Sequence, residues 1–539
     1  MDKSAKIINI SLKSKYFYFL LLFLLVTSIS SLFWLPIFTD EVTWLQMTGK
    51  YLQHEGYDVT LTPQCSSTHK SLPPFYMQPY RVLSSLISYQ LANPSYFRII
   101  AIVKILVIAI VAYLTLKVTL PNSPANERLN PILMTFSMGG LLTFFMYLRP
   151  EVSILILTLL YLYFVMLYQE GVKRPYILVL LSFVYFVLLV SVHQKTLLLA
   201  PLILVILFRE IENKRTLYSL LVVVAFVFIG WSSYKYYSDF FSCEKNTVVS
   251  NYWSDHGLPF YLLKESNVEL FIRNISWRLQ EGHQIFSNIL FVNHSQRNFP
   301  PLPDYEQFLI LAYIASIAGF VLLVLMLIGY FQYIFRSSNG DRKSKNRKIY
   351  AGYFIVMTIA IAIAQKENYF YESIIPLFFI SLFGWSYIWS KENDNRYSCY
   401  IKNISISSAI TCVSFLVFCS ISFNQEWKDS MYDNRHPKTF SHFDFSETVS
   451  EVDKLITLKG LKNNDIWLVD ELVALTLPNK KNVEIIHFSK IGVNSMYDIL
   501  VHANTSFGIF NCHYLKGLDL KNIEIDKYED ICIVTTKKK

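Results

Sequence analysis

Asp40 and Glu41 are adjacent carboxylates at the point where an apolar run ends. An ionised, well-aimed carboxylate can take the proton from an attacking hydroxyl or amine. The preceding run, residues 16–37, is about long enough to cross a hydrocarbon core roughly 30 Å thick. Beyond the pair, Trp44, Met47 and Tyr51 recur at i, i+3 and i+7, flanked by Leu45 and Leu52, which describes a helix lying along the interface. The two acids are thus pinned where lipid meets water. They could equally cap that helix, whose positive N-terminal end favours Asp and Glu, and these residues alone leave both readings open.

Three further groups of reactive residues stand at the ends of apolar stretches: Arg149-Pro150-Glu151, His193-Gln194-Lys195-Thr196 and Lys366-Glu367-Asn368-Tyr369. The elements that must position them are set by composition. Of 539 residues, 53% are hydrophobic, 16% aromatic and only 17% charged, which excludes a soluble globule and predicts a mainly α, polytopic membrane protein. Besides the first, apolar stretches fall at 96–118, 131–147, 150–169, 175–192, 195–209, 217–234, 308–335, 349–365, 370–390 and 404–423, about eleven crossings. Orientation follows the basic residues. Lys3, Lys6, Lys13 and Lys15 precede the first span, and Arg336, Arg342, Lys343, Lys345, Arg347 and Lys348 follow the eighth. Both segments are expected on the cytoplasmic side. Alternate crossings then put Lys173, Arg174, Arg209, Lys214 and Arg215 inside as well, and the loops 38–95 and 235–306, with all three reactive groups, outside.

Residues 1–423 are therefore expected to form the membrane domain and 424–539 a small extracytoplasmic α/β domain, with strand-like runs at 465–469, 483–488, 506–510 and 530–535 and a helix near 447–458. That domain shows no glycine-rich phosphate loop, metal-spaced Cys/His cluster or nucleophile elbow, so it is read as engaging the acceptor or covering the site. Of the outward cysteines, Cys512 is paired with Cys532 because both belong to this domain, and Cys65 with Cys243 by elimination; all four staying reduced is the alternative.

The order of these features resembles the start of the GT-C glycosyltransferases, in particular bacterial relatives of the protein O-mannosyltransferases and of the lipid A aminoarabinose transferase. The matching pieces are the first span, Asp40-Glu41, the interfacial helix 42–56, Lys70-Ser71-Leu72-Pro73-Pro74, Arg98 at the start of the next crossing, Arg149-Pro150-Glu151, Lys195, and the Tyr- and Pro-containing segment from Lys366 to Pro376. They span most of residues 16 to 390 in order. Two departures stand out: the Pro-Pro context is altered, and the second acid lies in an Arg-Pro-Glu setting.

The resemblance implies transfer of a sugar from a polyprenyl-phosphate carrier to a glycolipid, glycan or protein acceptor at the outer membrane face, with inversion. Such a site needs one base and cations for the departing phosphate. Asp40 is the expected base. Glu41 and Glu151 could hold sugar hydroxyls, an acceptor amine or a divalent metal ion; no certain cofactor is implied. Lys195, His193, Arg149 and Lys366 are candidates for the phosphate, and Tyr369 for substrate. Arg81 and Arg98 read as ordinary headgroup anchors, and Lys366 is open to the same reading. Other partners are membrane lipids; no nucleic acid is expected. No nucleotide-binding motif is evident, which agrees with a lipid-linked donor. The rival classes are a glycan polymerase or ligase of another fold, a lipid-linked glycan flippase or transporter, and an inactive scaffold. A transporter should carry its charges in mid-span and show paired broken helices, whereas here they cluster at outward ends. The Lys- and Asn-rich character points to a bacterial inner membrane, and the Asn-X-Ser triplets at Asn274, Asn293 and Asn504 do not show a eukaryotic host.

Overall fold

The computed structural model describes residues 2–33, 41, 94–121, 123–171, 174–192, 194–211, 222–232, 262–263, 266–281, 309–335, 342–364, 370–390, 396–429, 445–460, 466–470, 473–474, 477, 483–486, 493–528 and 531–537. The chain is mainly helical. In order come α1 (Asp2–Leu32), α2 (Pro94–Thr119), α3 (Ala125–Phe136), α4 (Gly139–Phe145), α5 (Pro150–Glu170), α6 (Pro175–Val192), a 3-10 turn (Gln194–Leu199), and α7 (Ala200–Glu210). There follow α8 (Val222–Ser232), α9 (Val268–Glu281), α10 (Leu309–Phe335), α11 (Arg342–Ala364), α12 (Phe370–Trp389) and α13 (Arg396–Asp429). Among the described residues, six helices are long and apolar enough to cross a membrane, α2, α5, α6, α10, α11 and α13, and three shorter apolar helices accompany them. This is a multi-pass membrane protein.

One apolar core runs through the bundle from Leu21 in α1 to Leu416 in α13. Its tightest crossing brings α10 against α12 at two glycines. A Cβ at Gly384 would overlap the carbonyl of Met326, and one at Gly329 would overlap the Gly384 carbonyl and Ile388. Close backbone approach replaces the hydrophobic drive that lipid cannot supply between helices. Hydroxyl pairs tie α5 to α6, with Tyr161 and Ser182 2.8 Å apart and Tyr185 donating to Thr158 Oγ1 at 2.9 Å.

The expected crossing at 131–147 differs. It is two helices, α3 and α4, broken at Ser137–Met138, where Met138 is extended (φ −77°, ψ 90°). All of α4 is buried. A break at membrane depth is tolerated only inside protein, where other groups satisfy the freed backbone, and Ser137 Oγ donates to Leu133 O at 2.7 Å. Gly139 and Gly140, next to the break, are the signal hydropathy passed over. The expected 195–209 crossing begins as the 3-10 turn and becomes α-helical at Ala200-Pro201, since proline suits the first helical turn.

At one end of the bundle α5, α7 and α11 meet around Glu210. Its Oε1 accepts from Gln169 Nε2 at 2.6 Å, Asn346 Nδ2 at 2.9 Å and Tyr350 Oη at 2.6 Å. Arg347 donates to Gln169 Oε1 and Glu170, and Lys343 pairs with Glu170. The basic residues expected at a cytoplasmic edge thus serve there as helix ties.

The C-terminal segment contains α14 (Phe445–Lys459), β1 (Trp467–Val469), β2 (Val483–Ile485), α15 (Met496–His502), β3 (Phe507–Asn511), β4 (Ile523–Tyr528) and β5 (Ile531–Thr536). The five strands order as β2-β1-β3-β5-β4, parallel across β2-β1-β3 and antiparallel beyond. Strand alternation sends Trp467, Val469, Phe507 and Ile509 to one face with Val452 and Leu455 of α14, and Leu468 and Phe510 to the other with Met496, Ile499 and Leu500 of α15. Four strands fall where the sequence places them. β4 is additional, a largely exposed edge strand whose Glu524, Asp526 and Lys527 hide it from a hydropathy pattern. Cys512 and Cys532 form the expected disulfide; Cys65 and Cys243 lie outside the described residues. The apolar face on α14 also takes in Phe97 from α2 and Leu148 from the turn before α5, so this domain is seated on the end of the bundle opposite Glu210.

Candidate functional site

The polar residues at that end are built up from three short pieces of chain. In the first turn of α2, Arg98 is fully buried. It meets Glu41 as a fork on a carboxylate, Nη1 to Oε1 at 2.9 Å and Nη2 to Oε2 at 3.1 Å, with both side chains out of solvent. Bidentate geometry is what a planar guanidinium offers and an ammonium does not. Nη1 also donates to the carbonyl of Met146 at 2.6 Å, and the guanidinium lies 5.3 Å from the centre of the Tyr147 ring. The backbone N–H of Leu148 donates to Glu41 Oε1.

The second piece is the turn Met146–Arg149, delivered by the short buried helix α4. Arg149 is extended at the N-cap of α5 (φ −107°, ψ 152°), as a residue before proline must be, with Pro150 in the first turn. Glu151 follows, favoured by the helix dipole. Arg149 Nε pairs with Glu151 Oε2 at 3.2 Å, and Nη2 reaches Oε1 at 3.4 Å, both side chains buried. The third piece is Lys104, six residues further along α2, whose Nζ donates to Ser153 Oγ at 3.1 Å.

Three of the residues singled out from the sequence are therefore gathered at one end of the bundle. Glu41, Arg149 and Glu151 meet around the Tyr147–Arg149 turn. Arg149 and Glu151 form the local ion pair that their spacing allows. Lys195 lies in the 3-10 turn after α6, and its side chain is outside the described residues, as are Asp40, His193, Lys366 and Tyr369. Among the described residues no three His, Cys, Asp or Glu side chains are grouped to hold a metal ion.

Arg98 corrects an expectation. It does not reach for headgroups but is spent on Glu41, 57 residues away in sequence. The Arg98-to-Glu41 partnership, the Leu148 N–H and the Lys104–Ser153 contact went unread because nothing in local spacing marks them. An ionisable residue well inside a span is itself a signal of function, and Lys104 carried it.

No protein-family model matches the sequence, and no curated protein is found similar to it. Among solved structures, the chain is similar to the archaeal oligosaccharyltransferase AglB from Archaeoglobus fulgidus, in complex with an inhibitory peptide and a dolichol-phosphate. Identity is 9% with a TM-score of 0.46, covering 93% of this chain and 70% of that one. It is also similar to ArnT from Cupriavidus metallidurans bound to undecaprenyl phosphate, at 11% identity and a TM-score of 0.40, covering 97% and 98% of the two chains. A further Archaeoglobus fulgidus oligosaccharyltransferase structure, in complex with Zn and sulfate, matches at 9% identity and a TM-score of 0.47, over 91% and 68%.

Proposed function

We propose that this chain is an integral-membrane glycosyltransferase that moves a sugar from a polyprenyl-phosphate carrier to an envelope glycolipid, glycan or protein acceptor. The reading is supported above all by the buried, bidentate Arg98–Glu41 pair. It clamps the residue next to Asp40 to the Tyr147–Arg149 turn, and a base is useful only where its position is fixed to within a fraction of an ångström. Glu41 has bonds from Arg98 and Leu148 on its oxygens, which suits it to bracing Asp40 while keeping substrate in register.

In this reading an acceptor hydroxyl or amine attacks the anomeric carbon, and the new bond forms as the bond from that carbon to the phosphate oxygen breaks. Asp40 takes the acceptor proton. The electron pair of the broken bond leaves on the carrier phosphate, and attack opposite the leaving group inverts the anomeric centre. Arg149, Lys195, His193 and Lys366 supply positive charge for the departing phosphate. Glu151, oriented by Arg149, and Tyr369 hold sugar or acceptor hydroxyls. The site and the C-terminal domain face away from the cytoplasm of a bacterial inner membrane.

The test is mass spectrometry of envelope glycolipids and glycoproteins in cells with and without the gene, complemented by wild type or by Asp40→Asn. Asparagine keeps size and capping ability but cannot take a proton, and positioned bases contribute on the order of 10²–10⁴-fold in rate. Loss of one sugar in the deletion, restored by wild type and not by Asp40→Asn, is the expected result. Full restoration by Asp40→Asn would remove the base and with it the transferase reading. A reporter fused after Phe423 should read outside and one within 337–347 inside; reversed signals would move the site to the other face.

A further inference from the structure

Among the described residues Lys104 has one neutral hydrogen-bond partner and no carboxylate at ion-pair distance. It lies ten residues into α2, about 15 Å along the axis from Pro94 at 1.5 Å per residue. On one side of it α2 shows lipid a stripe of exposed Ile99, Val103, Leu106 and Ile110; on the other it packs against α5. Helical side chains lean towards their N-terminus. The ammonium is therefore carried towards the Arg98 end, and it meets Ser153 in the first turn of α5 at 3.1 Å. Among the described residues that is its only hydrogen bond, and no carboxylate lies within ion-pair distance of it.

The neighbouring carboxylates are engaged. Glu41 is bonded to Arg98 and Leu148, and Glu151 to Arg149. Among the described residues the cluster thus holds three cations, Arg98, Lys104 and Arg149, against two anions. An ammonium inside the apolar slab with one neutral partner is costly to hold. It is stabilised when an anion joins it. Ser153 is buried, and its oxygen accepts from Lys104, which leaves the hydroxyl proton without an acceptor among the described residues. Among the described residues, one ammonium with two spare N–H donors and one spare O–H, beside an exposed apolar stripe, form a seat for an anion that carries a hydrocarbon chain.

We propose that Lys104 and Ser153, where α2 packs against α5, bind the phosphate of a membrane lipid, and that this lipid is the polyprenyl carrier. The chain of the carrier lies along the exposed stripe of α2, and its phosphate comes within the field of the Glu41–Arg98 cluster. The identity of the lipid rests on the transferase reading; the phosphate seat does not.

The experiment is native mass spectrometry of the full chain in detergent micelles, titrated with undecaprenyl monophosphate or with phosphatidylglycerol. Wild type should retain undecaprenyl monophosphate in preference to phosphatidylglycerol. Lys104→Met removes the charge at similar length and should weaken that retention by about tenfold or more; Lys104→Arg should restore most of it, and Ser153→Ala, which keeps the charge, should weaken it about three-fold. Thermal melting of each variant in the same micelles shows whether it is folded, and if Lys104→Met is not, Ser153→Ala carries the same test. Unchanged retention in folded Lys104→Met or Ser153→Ala would overturn the seat. Equal losses for both lipids would overturn the carrier assignment in favour of an ordinary phospholipid. Lys104-dependent retention in a protein that transfers no sugar would sink the transferase reading and leave the seat standing.

Discussion

Helix α5 begins in one buried polar cluster and ends in another, and the two are built differently. At its far end, one carboxylate, Glu210, gathers donors from Gln169, Asn346 and Tyr350, while Glu170 is met by Arg347 and Lys343. Both acids there are met by donors, and Arg209 and Arg342 lie beside them as well. At its near end, among the described residues, Glu41 and Glu151 face Arg98, Arg149 and Lys104, and the last of these has a single hydroxyl partner. A cluster whose carboxylates gather donors from several helices works as a tie between them. One that, among the described residues, leaves a cation and two kinds of donor over is the one proposed to receive an anion.

The comparison breaks most visibly at Arg98. Arg98→Met leaves the Glu41 carboxylate buried without its guanidinium, and breaking a buried pair on one side costs about 3–5 kcal/mol. A melting curve should show a large loss of stability, and transfer should fall with it. The double variant Arg98→Met with Glu41→Leu should regain most of the stability, since two apolar groups need no partner, but not the transfer. Recovery of both would make this end a helix tie like the other.

Phe97→Ala comes next. The side chain is fully buried in the apolar cluster shared by α14, β1, β3 and Leu148, and Phe-to-Ala changes in cores cost about 3 kcal/mol or more. Amide exchange should rise in β1 and β3 and also at Leu148, whose N–H is bonded to Glu41. Exchange confined to the sheet would show that the domain's seat and the Glu41 cluster are energetically separate. The same contact means that truncation at Phe423, which also cuts α13 short of Asp429, uncovers Phe97 and should disturb more than acceptor engagement.

At the closed end the effects should be smaller and silent in function. Glu210→Ala removes the shared acceptor of three donors; hydrogen bonds to charged groups are worth about 1.5–3 kcal/mol. Stability should fall, while the folded fraction transfers at a rate within about two-fold of wild type. A larger drop in transfer would give this cluster a part in the reaction. The smallest effect belongs to Lys343→Ala. Its pair with Glu170 is exposed, and such pairs contribute about 0–1 kcal/mol. A shift beyond that would show the pair to be coupled into the Glu210 network.

That the chain is a mainly helical membrane protein with a small C-terminal α/β domain was legible from its residues alone. Apolar runs, basic loops and alternating strand residues are local properties, readable from neighbours a few positions apart. The pairing of Cys512 with Cys532 was legible for the same reason, since both belong to one small domain. Asp40-Glu41 and Arg149-Pro150-Glu151 were visible as adjacent residues of reactive type. What holds Glu41, Arg149 and Glu151 emerged from the folded arrangement alone. Glu41 finds Arg98 and Leu148 across 57 and 107 positions of chain, the crossing at 131–147 breaks because its neighbours satisfy it, and β4 exists because β5 pairs with it. Lys104 stands out only once Ser153 is known to be its single hydrogen-bond partner among the described residues. Charge compensation in a low-dielectric bundle depends on which side chains meet within a few ångströms, and a linear pattern does not contain that distance.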